Sequence, residues 1–190
     1  MARPLSEEKR NAILVAAAEN VATDGLAART AKIAVAAGVA EGTVFTYFAT
    51  KETLFNALYV TLKGEVGDAM LAGFQQRESV LAGWQKVWDS YVEWGLCNGV
   101  KRKALKQLHV SACITPDSRK AALHTTKAMA ATLLKDLAAA VQHPQSPEFI
   151  AAIFEALVEM TIDMIAKAPA SHEYYKREGF ESFWRAATCL

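Results

Sequence analysis

Thr30-Ala31-Lys32-Ile33-Ala34-Val35-Ala36-Ala37-Gly38-Val39-Ala40-Glu41-Gly42-Thr43-Val44-Phe45-Thr46-Tyr47-Phe48 has the spacing of two short helices joined by a tight turn. Ala34 is small where the helices must cross, and Gly38 accommodates the left-handed backbone of a sharp turn. Val39, Val44 and Phe48 are apolar where the second helix packs inward. An ordinary helical hairpin with a glycine turn shares this outline, so the neighbouring residues decide what the element is for.

Upstream, residues 6–24 read as a helix with Ser6 as N-cap, Glu7 and Glu8 in the first turn, Gly25 as its stop, and an inner stripe of Ile13, Leu14, Ala17 and Val21. Downstream, Leu54, Leu58, Leu62, Val66 and Met70 recur in steps of four, which predicts a helix over 51–74, bent or weakened by Gly64, Gly67 and Gly73. Further helices are expected over 78–97, 100–113, 117–142, 147–168 and 171–188, separated by prolines and small polar clusters. The chain is therefore expected to be all-α. Residues 1–48 form a three-helix N-terminal domain that contains the helix-turn-helix, and residues 49–190 form a larger helical bundle.

Composition agrees. Of 190 residues 36 are Ala and only 5 are Pro, which favours helix and excludes collagen-like and disordered classes. No uncharged stretch approaches the ~18 residues of a bilayer span, so no membrane association is expected. The segment from Met1 to Glu8 lacks an apolar run behind its charge, which points to the cytoplasm. Cys97, Cys113 and Cys189 are odd in number and widely spaced, suggesting neither a disulfide framework nor a zinc site. The net charge is +1, and six basic residues balance six acidic ones over 1–60, so any nucleic-acid partner must be argued from where the charges stand.

The residues around the turn resemble the DNA-binding domain of the TetR family of transcriptional regulators. Thr30, Ile33-Ala34, Ala37-Gly38-Val39, Gly42-Thr43, Phe45, Tyr47-Phe48 and Lys51-Glu52 follow that family's pattern in order and spacing, over about 50 residues. Phe45 stands where the family usually has Tyr, and Ala40 where it usually has a Ser or Thr cap. The resemblance implies a homodimeric, ligand-responsive regulator, most often a repressor, bound to a palindromic double-stranded operator and released by a small-molecule effector. If Val44 and Phe48 are buried, then Thr43, Thr46 and Tyr47 face outward with Phe45 at the edge. The expected DNA-binding residues are Thr30, Gly42, Thr43, Phe45, Thr46, Tyr47 and Lys51. Thr43 and Tyr47 are assigned to phosphates and Thr46 to base edges; Gly42 allows close approach; Thr30 caps its helix, and Lys51 adds an ammonium at a helix start. Arg3, Lys9 and Arg10 either reach the flanking backbone or form a solvated face.

Trp84, Trp88 and Tyr91 fall on one stripe of the helix expected over 78–97, with Trp94 at its flank. The stripe is either core or the wall of an effector pocket, the role the resemblance favours. The helix after Pro147 is apolar around most of its circumference and needs cover on two sides. With the final helix it implies a dimer interface containing Phe154, Leu157, Phe180 and Trp184. Four His residues without metal-ligand spacing, and the absence of nucleophile or phosphate-loop motifs, leave no cofactor or metal to expect and argue against an enzyme. The alternatives are a helical small-molecule-binding protein with impaired DNA binding and, further off, a helical enzyme.

Overall fold

A computed structural model describes residues 6–75, 78–141 and 145–188, and all regular structure in them is helical. Arg3 and Cys189, named above, and His143, one of the four His residues, lie outside the described residues. Helix α1 spans Glu7–Asp24, started by the Ser6 hydroxyl accepting the Lys9 N–H at 3.4 Å and ended at Gly25 with φ 62°. A 3-10 turn, Gly25–Ala27, leads to α2, Thr30–Ala36. Gly38, at φ 66°, turns the chain into α3, Glu41–Tyr47, and a β-carbon there would be strained by the backbone alone. In α4, Lys51–Phe74, the Thr50 hydroxyl accepts the Thr53 N–H at 3.1 Å and caps the first turn. No described helix is long and apolar enough to cross a membrane.

The chain packs as two compact units, residues 1–65 with 98–124, and residues 66–97 with 125–190. This packing division is a different cut from the functional division expected at residue 48. In the first unit, α6 (Gly99–His109) lies along α1 and buries Ala104, Leu105 and Leu108, while α7 (Pro116–Ala122) follows a short loop. The second unit joins the end of α4 to α5 (Val80–Cys97), α8 (Lys127–Ala140), α9 (Pro147–Lys167) and α10 (His172–Thr188). Gly179 permits the closest crossing here, because a β-carbon would run into Thr161 of α9 and the Trp88 ring of α5.

Two expected helices differ from what forms. The helix expected over 117–142 is broken into α7 and α8, with Leu123–Thr126 between them. Thr125 and Thr126 are β-branched and weak helix formers, and their side chains seat about 3.1 Å from where a β-carbon on Gly67 would stand. A continuous helix would forfeit that fit. The helix expected to end at residue 113 stops at His109, because side chains from elsewhere take the backbone groups beyond it. Asn56 donates to the Cys113 carbonyl at 2.8 Å and accepts the Thr115 N–H at 2.9 Å, while Arg119 donates to the His109 and Ser111 carbonyls. These bonds substitute for the helical ladder that local periodicity implied.

Candidate nucleic-acid interface

Helix α3 has one buried side, and that side decides what the other presents. Val44 and Phe48 are inside, which leaves Gly42, Phe45 and Thr46 exposed and Thr43 and Tyr47 half-buried at the edges. Phe45 is 43% exposed, an unusual cost for an aromatic ring that nothing in its own unit covers. Thr46 thus faces outward as the sequence implied, whereas Phe45, expected at the edge, is exposed, and Thr43 and Tyr47, expected outward, stand at the edges.

Hydrogen bonding limits what each group can still do. The Tyr47 hydroxyl accepts the Ser6 N–H at 3.0 Å, so its own proton is free to be given to an outside acceptor. The Thr46 hydroxyl donates to the Gly42 carbonyl at 3.0 Å, leaving it to present a methyl group and acceptor lone pairs. Lys51 donates to the Leu26 carbonyl at 2.7 Å, and its ammonium lies 5.3 Å from the Phe55 ring centre, so it ties α4 to the turn after α1 while two N–H groups remain. Lys32 is engaged with Asp24 at 2.7 Å, and Arg10 lies over the Phe48 ring.

Thr30 does not cap its helix. The cap position falls on Arg29, whose backbone is extended, and Thr30 is already helical, so its hydroxyl cannot fold back over the first amides. It donates instead to Glu41 Oε1 at 2.6 Å, the first residue of α3. A threonine hydroxyl has one proton, so it cannot give the same proton to a phosphate. Glu41 is exposed on the candidate face, and the sequence reading gave it no role although an acidic residue at the start of the second helix was visible there.

In the second unit, Trp84, Trp88, Tyr91 and Trp94 are all buried, and Trp88 is 0% exposed. The Trp88 ring centre lies 5.6 Å from Phe154, 6.0 Å from Phe180 and 6.0 Å from Phe183; Trp84 lies 5.1 Å from Phe183. The Trp88 indole N–H donates to the Lys176 carbonyl at 3.1 Å. Phe154 and Phe180, expected at a dimer interface, therefore belong to the same cluster as the expected ligand residues. They share the inward faces of α9 and α10 with Val158, Ile162 and Ala187 and are buried within the protomer itself. Leu157 and Trp184 are half-buried; Phe149, Met160, Met164 and Tyr174 are the exposed large apolar residues of these helices. A pocket of about 450 Å³ opens between α8, α9 and α10 over Leu134, Leu137, Val141, Ile150 and Ala187.

Beside the cluster, burial raises the Asp89 carboxyl above its ordinary pKa, with Glu93 adding repulsion and Lys176 opposing the rise. Burial pulls the Lys176 ammonium down, but its bonds to Glu93 and Glu173 outweigh that and leave it above the usual lysine value. Among the described residues no group of three or more His, Cys, Asp or Glu side chains is placed to hold a metal ion.

Residues 13–58 match the model of the family described as bacterial regulatory proteins, tetR family, a span that contains all of α2 and α3 and the start of α4. The fold matches a tetR family transcription regulator from Shewanella sp. PV-4 with a TM-score of 0.84 and 25% identity, over 94% of this chain and 97% of that one. It also matches a TetR family transcription regulator from Marinobacter aquaeolei VT8, with a TM-score of 0.81 and 23% identity over 95% of each chain. The TetR-like regulator LfrR from Mycobacterium smegmatis, solved in complex with proflavine, matches with a TM-score of 0.69 and 22% identity over 93% of this chain and 95% of that one. A helix-turn-helix matched by the family's own sequence model therefore stands at the head of a chain whose fold is that of solved TetR family regulators.

Proposed function

We propose that the protein is a ligand-responsive transcriptional repressor that binds a palindromic operator as a homodimer in the cytoplasm and is released by a small-molecule effector. Residues 1–48 read DNA, and residues 49–190 hold the effector and the dimer contact. The observation that carries this reading is the outward row of α3. Gly42, Phe45 and Thr46 are exposed between a tyrosine hydroxyl with a proton to give and an ammonium with two unused N–H groups. A helix of this size fits the major groove, Tyr47, Thr43 and Lys51 lie at its margins where phosphates run, and the Thr46 methyl suits a thymine methyl.

The homodimer rests on a different observation. Ile153, Leu157, Met160 and Met164 recur along α9 in steps of four, three and four, all half-buried or exposed, beside half-buried Trp184 on α10. Such a stripe is the seam of a two-fold helix pair. The effector reading is supported by the pocket over Ile150 and Ala187, whose volume falls in the ~300–1,000 Å³ range of small-molecule sites. Those two residues stand one turn from Phe154 and Phe183, so an occupant there borders the aromatic cluster. Trp84, Trp88, Tyr91 and Trp94 remain in the proposal as inner lining, reached when that packing opens. Its relative LfrR was solved with proflavine.

The test is a fluorescence anisotropy titration of duplexes selected from a random library, beside sedimentation of the protein alone. Sequence-selective binding by a dimer, lost on adding a compound that changes tryptophan emission, is expected. A monomer, or equal affinity for every duplex, overturns the reading in favour of a ligand-binding protein without a DNA target.

A further inference from the structure

The DNA-reading face carries an acidic group that ought to oppose binding. Glu41 is exposed at the first position of α3, and the amino-terminal residues of a recognition helix are those that meet base edges. No Lys or Arg among the described residues pairs with it; its one described partner is the Thr30 hydroxyl, at 2.6 Å from Oε1. That bond joins the first residue of α2 to the first residue of α3, and holds the carboxylate in place without neutralising it. A carboxylate so placed is repelled by phosphates, and equally by guanine O6 and N7 and by thymine O4, all acceptors. One major-groove edge suits it. The cytosine N4 amino group is a donor, whereas adenine sets its N7 acceptor beside the N6 donor.

We propose that Glu41 is a specificity-determining residue that selects cytosine at one position of each half-site, and that Thr30 positions it. Oε1 is fixed by Thr30 and Oε2 is free to accept the N4–H. The inference rests on the DNA-reading function proposed above and gives that face a base preference. It also gives Thr30 a role other than phosphate contact, since its only hydroxyl proton goes to Glu41. The net effect is discrimination by penalty: a face with one unpaired carboxylate loses affinity on every duplex that lacks a donor there.

The experiment is selection from a randomised duplex library with the full chain, its Glu41→Gln variant and its Thr30→Val variant, followed by anisotropy titration of the recovered duplexes and their single-base changes. Wild type is expected to enrich cytosine at one position per half-site, with roughly tenfold weaker binding to the other three bases, the scale of one mismatched pair. Glutamine carries both a donor and an acceptor, so Glu41→Gln should change the preferred base there to adenine and bind random-sequence DNA more tightly. Thr30→Val should lower the cytosine preference without creating a new one, while its thermal unfolding shows that the fold is kept. A loss of fold would not change which base is preferred, so base identity separates reading from structure. If wild type enriches a motif that Glu41→Gln reproduces base for base, the inference is overturned and the DNA-reading function stands. A wild type that enriches no motif overturns both.

Discussion

The turn around Gly38 and the aromatic helix α5 were both read from side chains, yet they behave differently. In α3 the residues of interest are those left outside once Val44 and Phe48 are buried. In α5 they are the largest apolar residues, and all four are inside, with Trp88 completely so. A seven-residue helix has room for one inward face, so nearly everything else on it is surface. A long amphipathic helix puts its biggest side chains inward by default, because each buried aromatic gains about 2–3 kcal/mol of transfer free energy. Size is therefore evidence of burial, and in α9 and α10 it drew Phe154 and Phe180 into a proposed interface when both belong to the core.

The most forceful way to break this comparison is to place charge on either side of the α9–α10 pair. Phe180→Glu puts a carboxylate among Trp88, Phe183 and Trp184, where it has no partner; the variant should lose more than ~4 kcal/mol and fail to fold at all. Met160→Glu, on an exposed position of α9, should leave helix content and unfolding midpoint nearly unchanged yet convert the proposed dimer to a monomer and weaken the proposed operator binding. Circular dichroism and sedimentation distinguish the two outcomes. A folded, monomeric Phe180→Glu protein would return that residue to the interface.

Trp88→Ala comes next. The ring is fully buried and in contact with three phenylalanines, so truncation should cost about 3–5 kcal/mol in denaturant unfolding, the range for large aromatic deletions. A cost below 1 kcal/mol, with effector response lost, would show that Trp88 serves a pocket and not the core.

Much of this fold was legible because local signals and final structure agree. Ser6, Gly25, Gly38 and the fourfold leucines of α4 fix their elements through capping, positive φ and periodicity, all short-range effects. The break between α7 and α8 was not legible, because it depends on Thr125 and Thr126 meeting Gly67, almost sixty residues earlier in sequence. The same limit explains the site. The pattern marked Tyr47 and Thr46 as outward, and the bond from Thr46 to the carbonyl four residues back is the ordinary one for a helical threonine, but the bond that uses up the Thr30 proton joins it to Glu41, eleven residues on, a spacing that carries no signal.

A smaller effect sharpens the reading of the DNA face. Lys51→Ala should weaken binding to all duplexes alike and reduce the slope of log affinity against log salt by about 1, as expected for one phosphate contact. It should also cost ~1 kcal/mol of stability, because the Leu26 carbonyl loses a charge-assisted partner. Loss of stability with an unchanged salt slope would make Lys51 a clamp between α4 and the turn after α1, and nothing more.

The smallest expected effect comes from Asp89, and it tests the boundary of the aromatic core. Its carboxyl is held above the ordinary Asp value by burial first, with Lys176 only partly offsetting the rise. In the window between the ordinary value and the raised one, the folded protein binds more protons than the unfolded chain. Stability then falls as pH rises through that window. Asp89→Asn cannot ionise and should escape this loss, so the variant should gain on wild type as pH rises through that window and keep a constant margin above it. The site is half-buried and partly screened by water, so the margin should be small, and paired urea titrations across that window measure it. Lys176 also bonds to Glu93 and Glu173 at 3.3 Å each, which keeps its charge compensated in the variant. A variant that instead loses ground to wild type as pH rises would mean that the ionised Asp89 is a net attraction to Lys176, and that water reaches the edge of the Trp88 cluster.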